Sequence, residues 1–156
     1  MTTIENFKTG IKKEGSTEVI NLDPKINIAN KKEIRILLKN IAESNLENIN
    51  KNINDAYHDD AEIRAFHPLN DLKGVSEISE ILWKPLINAF PDLERRDNLI
   101  LGGAFQDKIF VSTIAHLTGT FVNPWLNVPA HAKTIHLRIC EAVSYTHLTL
   151  PTICSV

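Results

Sequence analysis

Apolar residues recur every three or four positions in the segment that follows Asn30. Such offsets place side chains on one face of a helix. The pattern predicts a single amphipathic helix of about six turns, with Asn30 as its N-cap and Glu33 at the capping-box spacing. The apolar series is Ile34, Leu37, Leu38, Ile41, Ala42, Leu46, Ile49, Ile53 and Ala56. Residues 1–30 show no sustained period and are predicted to form a flexible N-terminal arm.

The pattern changes twice in the next part of the chain. Residues 61–66 predict a short strand, and residues 67–71 predict a loop that contains Pro68. A second helix is predicted from about Val75. Pro85 predicts a kink or break after Lys84, and Pro91 predicts the end of this helix.

Strand-like runs make up the remainder of the chain, over residues 93–105, 109–121 and 134–141. The pair Gly102 and Gly103 within the first run suits either a bulge or a close approach of another part of the chain. A helix, a strand and a helix followed by consecutive strands predict an α+β fold. In this fold a curved antiparallel sheet packs on helices.

Length and charge restrict the possible functions. A chain of 156 residues is predicted to form one domain. Seventeen basic and nineteen acidic side chains give a net charge of −2, which argues against nucleic acid as a partner. There is no apolar run of the roughly 18 residues that a membrane span needs, and the N-terminus does not resemble a signal peptide. A cytoplasmic protein that does not act at a membrane is therefore expected.

The C-terminal segment has an unusual sequence. Residues 143–152, VSYTHLTLPT, resemble one translated reading frame of the transposon-end adapter used to prepare sequencing libraries. On this interpretation residues 143–156 are a non-native tail and the natural domain covers residues 31–142, truncated at its C-terminus. The alternative is a genuine strand, because Tyr145, His147 and Thr149 alternate with their neighbours.

Five stretches of the chain carry a resemblance to a known family. They are HPLNDLKG at 67–74, WKPL at 83–86, AFPDLERR at 89–96, HLTGTF at 116–121 and WLNVPA at 125–130. Together they resemble the SnoaL-like, polyketide cyclase-like branch of the nuclear transport factor 2-like superfamily.

This resemblance implies a cone-shaped fold in which a curved sheet and helices enclose one deep apolar pocket. It implies cyclisation, isomerisation or hydration by acid–base chemistry, without a metal or an organic cofactor. A homodimer formed through the sheet is also implied. Chains of this family continue past the position of Glu141 into a longer strand, a turn and a final strand. A truncated chain is expected to lack these and to leave a sheet edge open.

Glu141 is the first candidate for a catalytic residue. Alternation along the strand places it on the same face as Ile135, Leu137 and Ile139. An apolar face desolvates a carboxylate, which suits a general base. The resemblance also implies an acidic residue at this position. The alternative is an exposed glutamate at a frayed strand end.

Two histidines are candidate partners of Glu141. His116 lies in the middle of a strand on a mixed face, where it can line a pocket or a subunit interface, or serve as a buried structural residue. His67 begins the loop after the first strand, and the resemblance puts this loop at the mouth of the pocket. Related cyclases often have Gly-Thr-His where this chain has Phe121, so one expected polar group is absent.

Four aromatic residues are predicted to bind the substrate, or else to serve in packing: Trp83, Trp125, Phe121 and Phe66. No metal site is predicted, because His131 and His136 have an odd separation and face opposite sides of one strand.

Two hypotheses of function follow. One is an enzyme that acts on a small apolar or carbonyl-containing molecule, and the other is a non-catalytic ligand-binding or dimerising module. A closed cavity into which both Glu141 and a histidine point would favour the enzyme, whereas a cavity lined only by Ile, Leu, Phe and Trp would count against it.

Overall fold

The computed structural model describes residues 23–105, 108–146 and 149–155, and side chains are described at 23–104 and 108–144. The helical elements are α1 (Pro24–Ala42), α2 (Ile49–Ala56), α3 (Gly74–Glu77), a π-helical segment (Ile78–Trp83) and α4 (Lys84–Ala89). The strands are β1 (Glu62–Arg64), β2 (Asp71–Lys73), β3 (Glu94–Phe105), β4 (Lys108–Thr120), β5 (Thr134–Thr146) and β6 (Thr149–Ser155). They form one sheet in the order β2-β1-β6-β5-β4-β3. All neighbouring pairs are antiparallel except β1 and β6, which confirms the α+β prediction.

The first helix begins earlier than predicted. Asp23 caps α1 by accepting a hydrogen bond from the Lys25 backbone N–H at 2.7 Å, and Pro24 occupies the first helical position. Both are standard signals for a helix start. Asn30, the predicted cap, lies inside the helix and is buried. The predicted arm therefore overlaps α1 at residues 24–30, and residues 1–22 lie outside the described part of the chain.

The predicted six-turn helix is in fact two helices, α1 and α2, separated by residues 43–48. The Asn45 side chain accepts hydrogen bonds from the backbone N–H groups of Glu47 and Asn48, and the Asn48 side chain accepts one from Asn45. These local bonds compete with the helical hydrogen-bond pattern and end the helix. Leu46 fits the apolar period but is 52% exposed, because it lies in this turn.

The proline in the second helical region acts before its own position. Pro85 has no N–H group and its ring crowds the carbonyl four residues earlier. The preceding residues widen into the π-helical segment, in which the Lys84 N–H donates to the Ser79 carbonyl. The predicted irregularity is therefore present, but it precedes Lys84 instead of following it.

The glycine pair in β3 marks a close approach and not a bulge. The side-chain amide of Asn27 donates to the Gly102 carbonyl at 3.0 Å, so α1 lies directly against the strand. A Cβ atom at Gly102 would lie 2.0 Å from Asn27 Oδ1. The register shift in β3 falls between Asp97 and Leu99 instead.

The sheet continues past Glu141. β5 extends to Thr146, and β6 pairs with β5 and, in parallel, with β1. The final strand that a truncated chain was expected to lack is thus present, and it occupies the edge expected to be open. The resemblance of residues 143–152 to translated adapter concerns their origin and stays a prediction.

The core lies between the helices and the inner face of the sheet. Alternate residues of β4 are buried, and they pack against the apolar faces of α1 and α2. Fully buried side chains include Ile34, Leu38, Ile41, Ile49, Ile53 and Val111. Within the described residues, none of the helices has the length and apolar character of a membrane span.

Candidate functional site

An apolar cavity of about 180 Å³ lies between the inner face of the sheet and the helical region 78–89. Its wall is formed by Trp83, Leu86, Leu117, Leu137 and Ile139, and its carboxylate is Glu141. Phe66 and His67 are exposed and Leu126 is half-buried, so we take these three lining residues as the mouth of the cavity. An apolar cavity of about 150 Å³ holds one benzene molecule. The cavity therefore accommodates a group the size of a single ring.

Glu141 lies on the inner face of β5, as its strand alternation predicts, and is 7% exposed. Its Oε2 accepts hydrogen bonds from Arg95 Nη2 at 2.7 Å and from the Thr113 hydroxyl at 2.9 Å. Its Oε1 accepts no hydrogen bond from the described residues. One carboxylate oxygen is thus anchored by the sheet, and Glu141 contributes to the lining of the cavity.

Arg95 is the functional residue that the sequence reasoning missed. It is 2% exposed on β3, and its Nε donates to Asp97 Oδ1 at 2.9 Å. Burial alone would lower the pKa of Arg95, but the charges and hydrogen bonds of Glu141 and Asp97 outweigh burial and raise its pKa above the ordinary value. The guanidinium therefore lies charged between two carboxylates. Glu141 is buried, as its apolar strand face predicted, but its carboxylate is ion-paired with Arg95, which the sequence analysis did not foresee.

The alternation around Arg95 contained a signal for this pair. Leu93 is apolar, and side chains two and four positions later share its face of a strand. Those positions are Arg95 and Asp97, so the alternation predicts two charged side chains on a buried face. Buried charges are normally paired.

A second buried polar contact fixes the wall of the cavity. Trp83 Nε1 donates to the Tyr57 hydroxyl at 3.2 Å. Burial raises the pKa of Tyr57 well above its ordinary value, and the charge of Glu141 adds to the effect. Tyr57 is therefore a neutral phenol at any physiological pH. Its hydrogen bond holds the Trp83 ring, which was predicted to bind substrate, against the cavity.

The candidate residues divide into two groups by position. Glu141, His67, Phe66, Trp83 and Trp125 all line the cavity. Glu141 and His67 thus line one cavity, in which Glu141 is buried and His67 is exposed. A catalytic role for either residue stays a prediction.

His116 and Phe121 do not line this cavity. His116 lies on the outer face of β4, where its Nδ1 is 2.6 Å from Asn98 Oδ1. The buried face of β4 carries Thr113 and Leu117, and alternation points His116 the other way. Phe121 is buried and stacks on Phe90 with ring centroids 4.9 Å apart. Phe90 in turn contacts the Trp125 ring edge-on, so Phe121 supports the site from behind.

The part of the chain that the structure describes contains no cluster of potential metal ligands. There, no three His, Cys, Asp or Glu side chains come together as metal ligands. The cofactor-free chemistry implied by the resemblance stays a prediction.

Comparison with known proteins identifies the fold. No protein-family model and no curated protein matches the sequence. A solved structure named as a SnoaL-like polyketide cyclase from Jannaschia sp. CCS1 matches with a TM-score of 0.67 and 16% identity, over 88% of this chain and 90% of that one. A nuclear transport factor 2-like superfamily protein from Salmonella enterica matches with a TM-score of 0.63 and 11% identity, over 85% and 90%. IdmH from Streptomyces antibioticus, named as a polyketide cyclase, matches with a TM-score of 0.61 and 14% identity, over 81% and 90%.

Proposed function

The chain has the α+β nuclear transport factor 2-like fold that its sequence resemblance predicted, and we propose that it is a SnoaL-like enzyme. On this proposal it performs cofactor-independent acid–base chemistry on a small apolar or carbonyl-containing molecule. The observation that carries the proposal is the state of Glu141. Its Oε2 is held by Arg95 and Thr113, while its Oε1 is left without a described partner at an apolar cavity.

This arrangement suits transfer of a proton. Glu141 Oε1 takes a proton from a carbon next to a carbonyl, and the C–H electrons move into the enolate. In a β,γ-unsaturated carbonyl compound the enolate is conjugated with the double bond, and the same oxygen returns the proton to the γ-carbon, so the double bond moves into conjugation and no atom is gained or lost. The hydrogen bonds of Arg95 and Thr113 fix the carboxylate, which lowers the cost of reaching the reactive geometry. His67 at the mouth is placed to exchange a proton with the outer end of the substrate.

A specific observation favours a second candidate function, non-catalytic binding. Arg95 donates to Glu141 Oε2 at 2.7 Å, so this carboxylate already has a structural partner on the sheet whether or not it reacts. An anchored carboxylate in an apolar cavity also serves as a simple acceptor for a ligand hydroxyl. The two functions share the cavity and differ in whether a proton leaves carbon.

Hydrogen–deuterium exchange at carbon separates these functions. The full chain is incubated in D₂O with small cyclic ketones, and loss of the proton signal next to the carbonyl is followed by NMR. The enzyme hypothesis expects exchange faster than in buffer, and at least a 100-fold loss in Glu141→Gln, the scale of a missing general base. Saturable binding of phenol without exchange of any ketone would favour the binding module.

A matched variant controls for general effects of removing a carboxylate. Glu94 lies on the outer face of β3 and pairs with Arg96 at 2.9 Å, away from the cavity. Glu94→Gln makes the same chemical change and is expected to keep wild-type exchange. Equal losses in both variants would count against a role for Glu141.

The cellular setting also remains part of the proposal. We propose a cytoplasmic protein whose partner is a small molecule, with no nucleic acid or membrane, and which forms a homodimer. Size-exclusion chromatography with light scattering tests the dimer.

A further inference from the structure

Leu126 has a backbone conformation that its residue type disfavours. Trp125 and Val128 flank a two-residue turn. The Trp125 N–H donates to the Val128 carbonyl at 3.2 Å, and the Val128 N–H donates to the Trp125 carbonyl at 2.9 Å. Leu126 and Asn127 at its centre have φ values of 50° and 64°. Turns with two positive φ values prefer Asn and Gly. Asn127 fits this preference, but for leucine the left-handed region is strained.

The side chain of Leu126 suggests why a leucine occupies this strained position. It is half-buried and lines the mouth of the cavity, together with Phe66. Phe66 is 65% exposed, which is unusual for a large aromatic residue. Asn127 occupies an equivalent backbone position but is exposed and does not line the cavity. Strained residues that persist at a binding site are a reason to infer function.

The size of the cavity limits which part of a ligand can lie inside it. A space of about 180 Å³ takes one ring-sized group next to Glu141. Any larger ligand must extend out through the mouth, where it meets Phe66 and Leu126. Both are apolar, so the outer part of such a ligand gains by being apolar as well.

We propose that Leu126 determines ligand specificity by contacting an apolar tail outside the cavity. The ligand class is then a compact head that bears a hydrogen-bond donor or an acidic C–H group, joined to a short apolar tail. The head lies beside Glu141, and the tail lies between Leu126 and Phe66. This inference rests on the proposed function only in requiring that the ligand binds in this cavity.

A series of 4-alkylphenols tests the proposal with the full chain. Phenol supplies a hydroxyl donor on a ring that fits the cavity, and 4-butylphenol adds the apolar tail. Affinities are measured by isothermal titration calorimetry. Leu126→Gly is expected to raise the Kd of 4-butylphenol about 10-fold, because part of a leucine-sized apolar contact is lost. The Kd of phenol, which has no tail, is expected to change less than twofold. Removal of the strain is expected to raise Tm by about 2–4 °C.

Two further variants separate contact from backbone effects. Leu126→Ala removes most of the side chain but keeps the strained backbone, so it should weaken the binding of 4-butylphenol without raising Tm. Asn127→Gly is the matched control in the same turn and should leave both affinities unchanged.

Several results would overturn the proposal. Equal affinity of Leu126→Gly and wild type for 4-butylphenol, or equal weakening of phenol and 4-butylphenol, would overturn it. Weakening by Asn127→Gly as large as that by Leu126→Gly would also overturn it. If wild type binds neither phenol nor 4-butylphenol, this inference fails, and the exchange of ketone protons alone decides the proposed function. If Glu141→Gln weakens phenol binding while Leu126→Gly changes nothing, only this inference fails.

Discussion

Arg95 on β3 reaches over β4, the strand between β3 and β5, and donates to Glu141 on β5 at 2.7 Å, with Thr113 bonded to both. The side chain of Arg95 is fully buried and that of Glu141 is 8% exposed. A buried ion pair contributes little over an apolar pair of similar size, yet loss of one partner leaves an uncompensated charge. The pair therefore fixes the position of the Glu141 carboxylate more than it adds to the stability of the fold.

The first prediction concerns the removal of one partner of this ion pair. Arg95→Met leaves Glu141 buried and unpaired and is expected to lower the free energy of unfolding by about 3–5 kcal/mol. Urea unfolding followed by circular dichroism measures this change.

Removing both charges provides the control. Arg95→Met with Glu141→Leu replaces the pair by apolar groups and should recover most of the loss. If the double variant were as unstable as Arg95→Met alone, the lost packing of Arg95 and its lost contact with Asp97, and not the unpaired charge of Glu141, would be the cause.

The second prediction concerns alkaline pH. The pKa of Tyr57 is raised by burial above its ordinary value of 10.0. Its favourable contribution to stability is complete below that value and is lost as pH rises above it, because the unfolded chain loses this proton first. The loss is about 1.4 kcal/mol per pH unit while only the unfolded tyrosine ionises. Urea unfolding between pH 9 and 11 should show a steeper decline in wild type than in Tyr57→Phe. Parallel declines would contradict the burial of this phenol.

The third prediction contrasts the adjacent glycines of β3. Gly102→Ala is expected to destabilise by about 1–3 kcal/mol, because the new methyl group displaces Asn27 and breaks its hydrogen bond. Among the described residues, no heavy atom lies within 4 Å of the position that a Cβ would take at Gly103. Gly103→Ala is therefore expected to stabilise by about 0.5–1 kcal/mol. Thermal unfolding of both variants measures the contrast. Equal effects would show that α1 does not lie against Gly102.

Sequence alone predicted the features that depend on local periodicity. Alternation placed Glu141 on the inner face of its strand, and the order of elements predicted the α+β fold. The break between α1 and α2 was missed because the apolar period continues through Leu46, and the side-chain bonds of Asn45 and Asn48 decide the matter.

Contacts between residues that are far apart in the sequence could not be predicted from such local patterns. Arg95 and Glu141 are 46 positions apart, and a strand pattern shows which face a residue occupies but not which partner it meets. The position of His116 was left open for a different reason. The outer face of β4 carries polar side chains beside Phe110 and Ile114, whereas the inner face is apolar except for Thr113. A mixed face of this kind is compatible with a pocket as well as with a subunit interface, so alternation alone did not decide between them.

The last prediction concerns acid pH and the anchor between Asp92 and β4. The Asp92 carboxylate accepts hydrogen bonds from the Thr120 hydroxyl and the Thr120 backbone N–H, both at 2.6 Å. These bonds lower the pKa of Asp92 below its ordinary value of 3.8. Their contribution to stability is present above that value and is lost as pH falls through the lowered pKa of the folded state.

Thr120→Val removes the hydroxyl donor but keeps the shape and the backbone N–H. It is expected to bring the Asp92 pKa, measured by NMR titration of the carboxyl carbon, part of the way back toward its ordinary value. It should also make the decline in unfolding free energy from pH 5 to pH 2 shallower than in wild type. Asp92→Asn removes the titrating group and should flatten this decline further, whereas Thr118→Val, two residues away on the same face of β4, should leave it unchanged. An unchanged Asp92 pKa in Thr120→Val would show that the hydroxyl does not hold this carboxylate, and that the turn before β3 is fixed to β4 by other contacts.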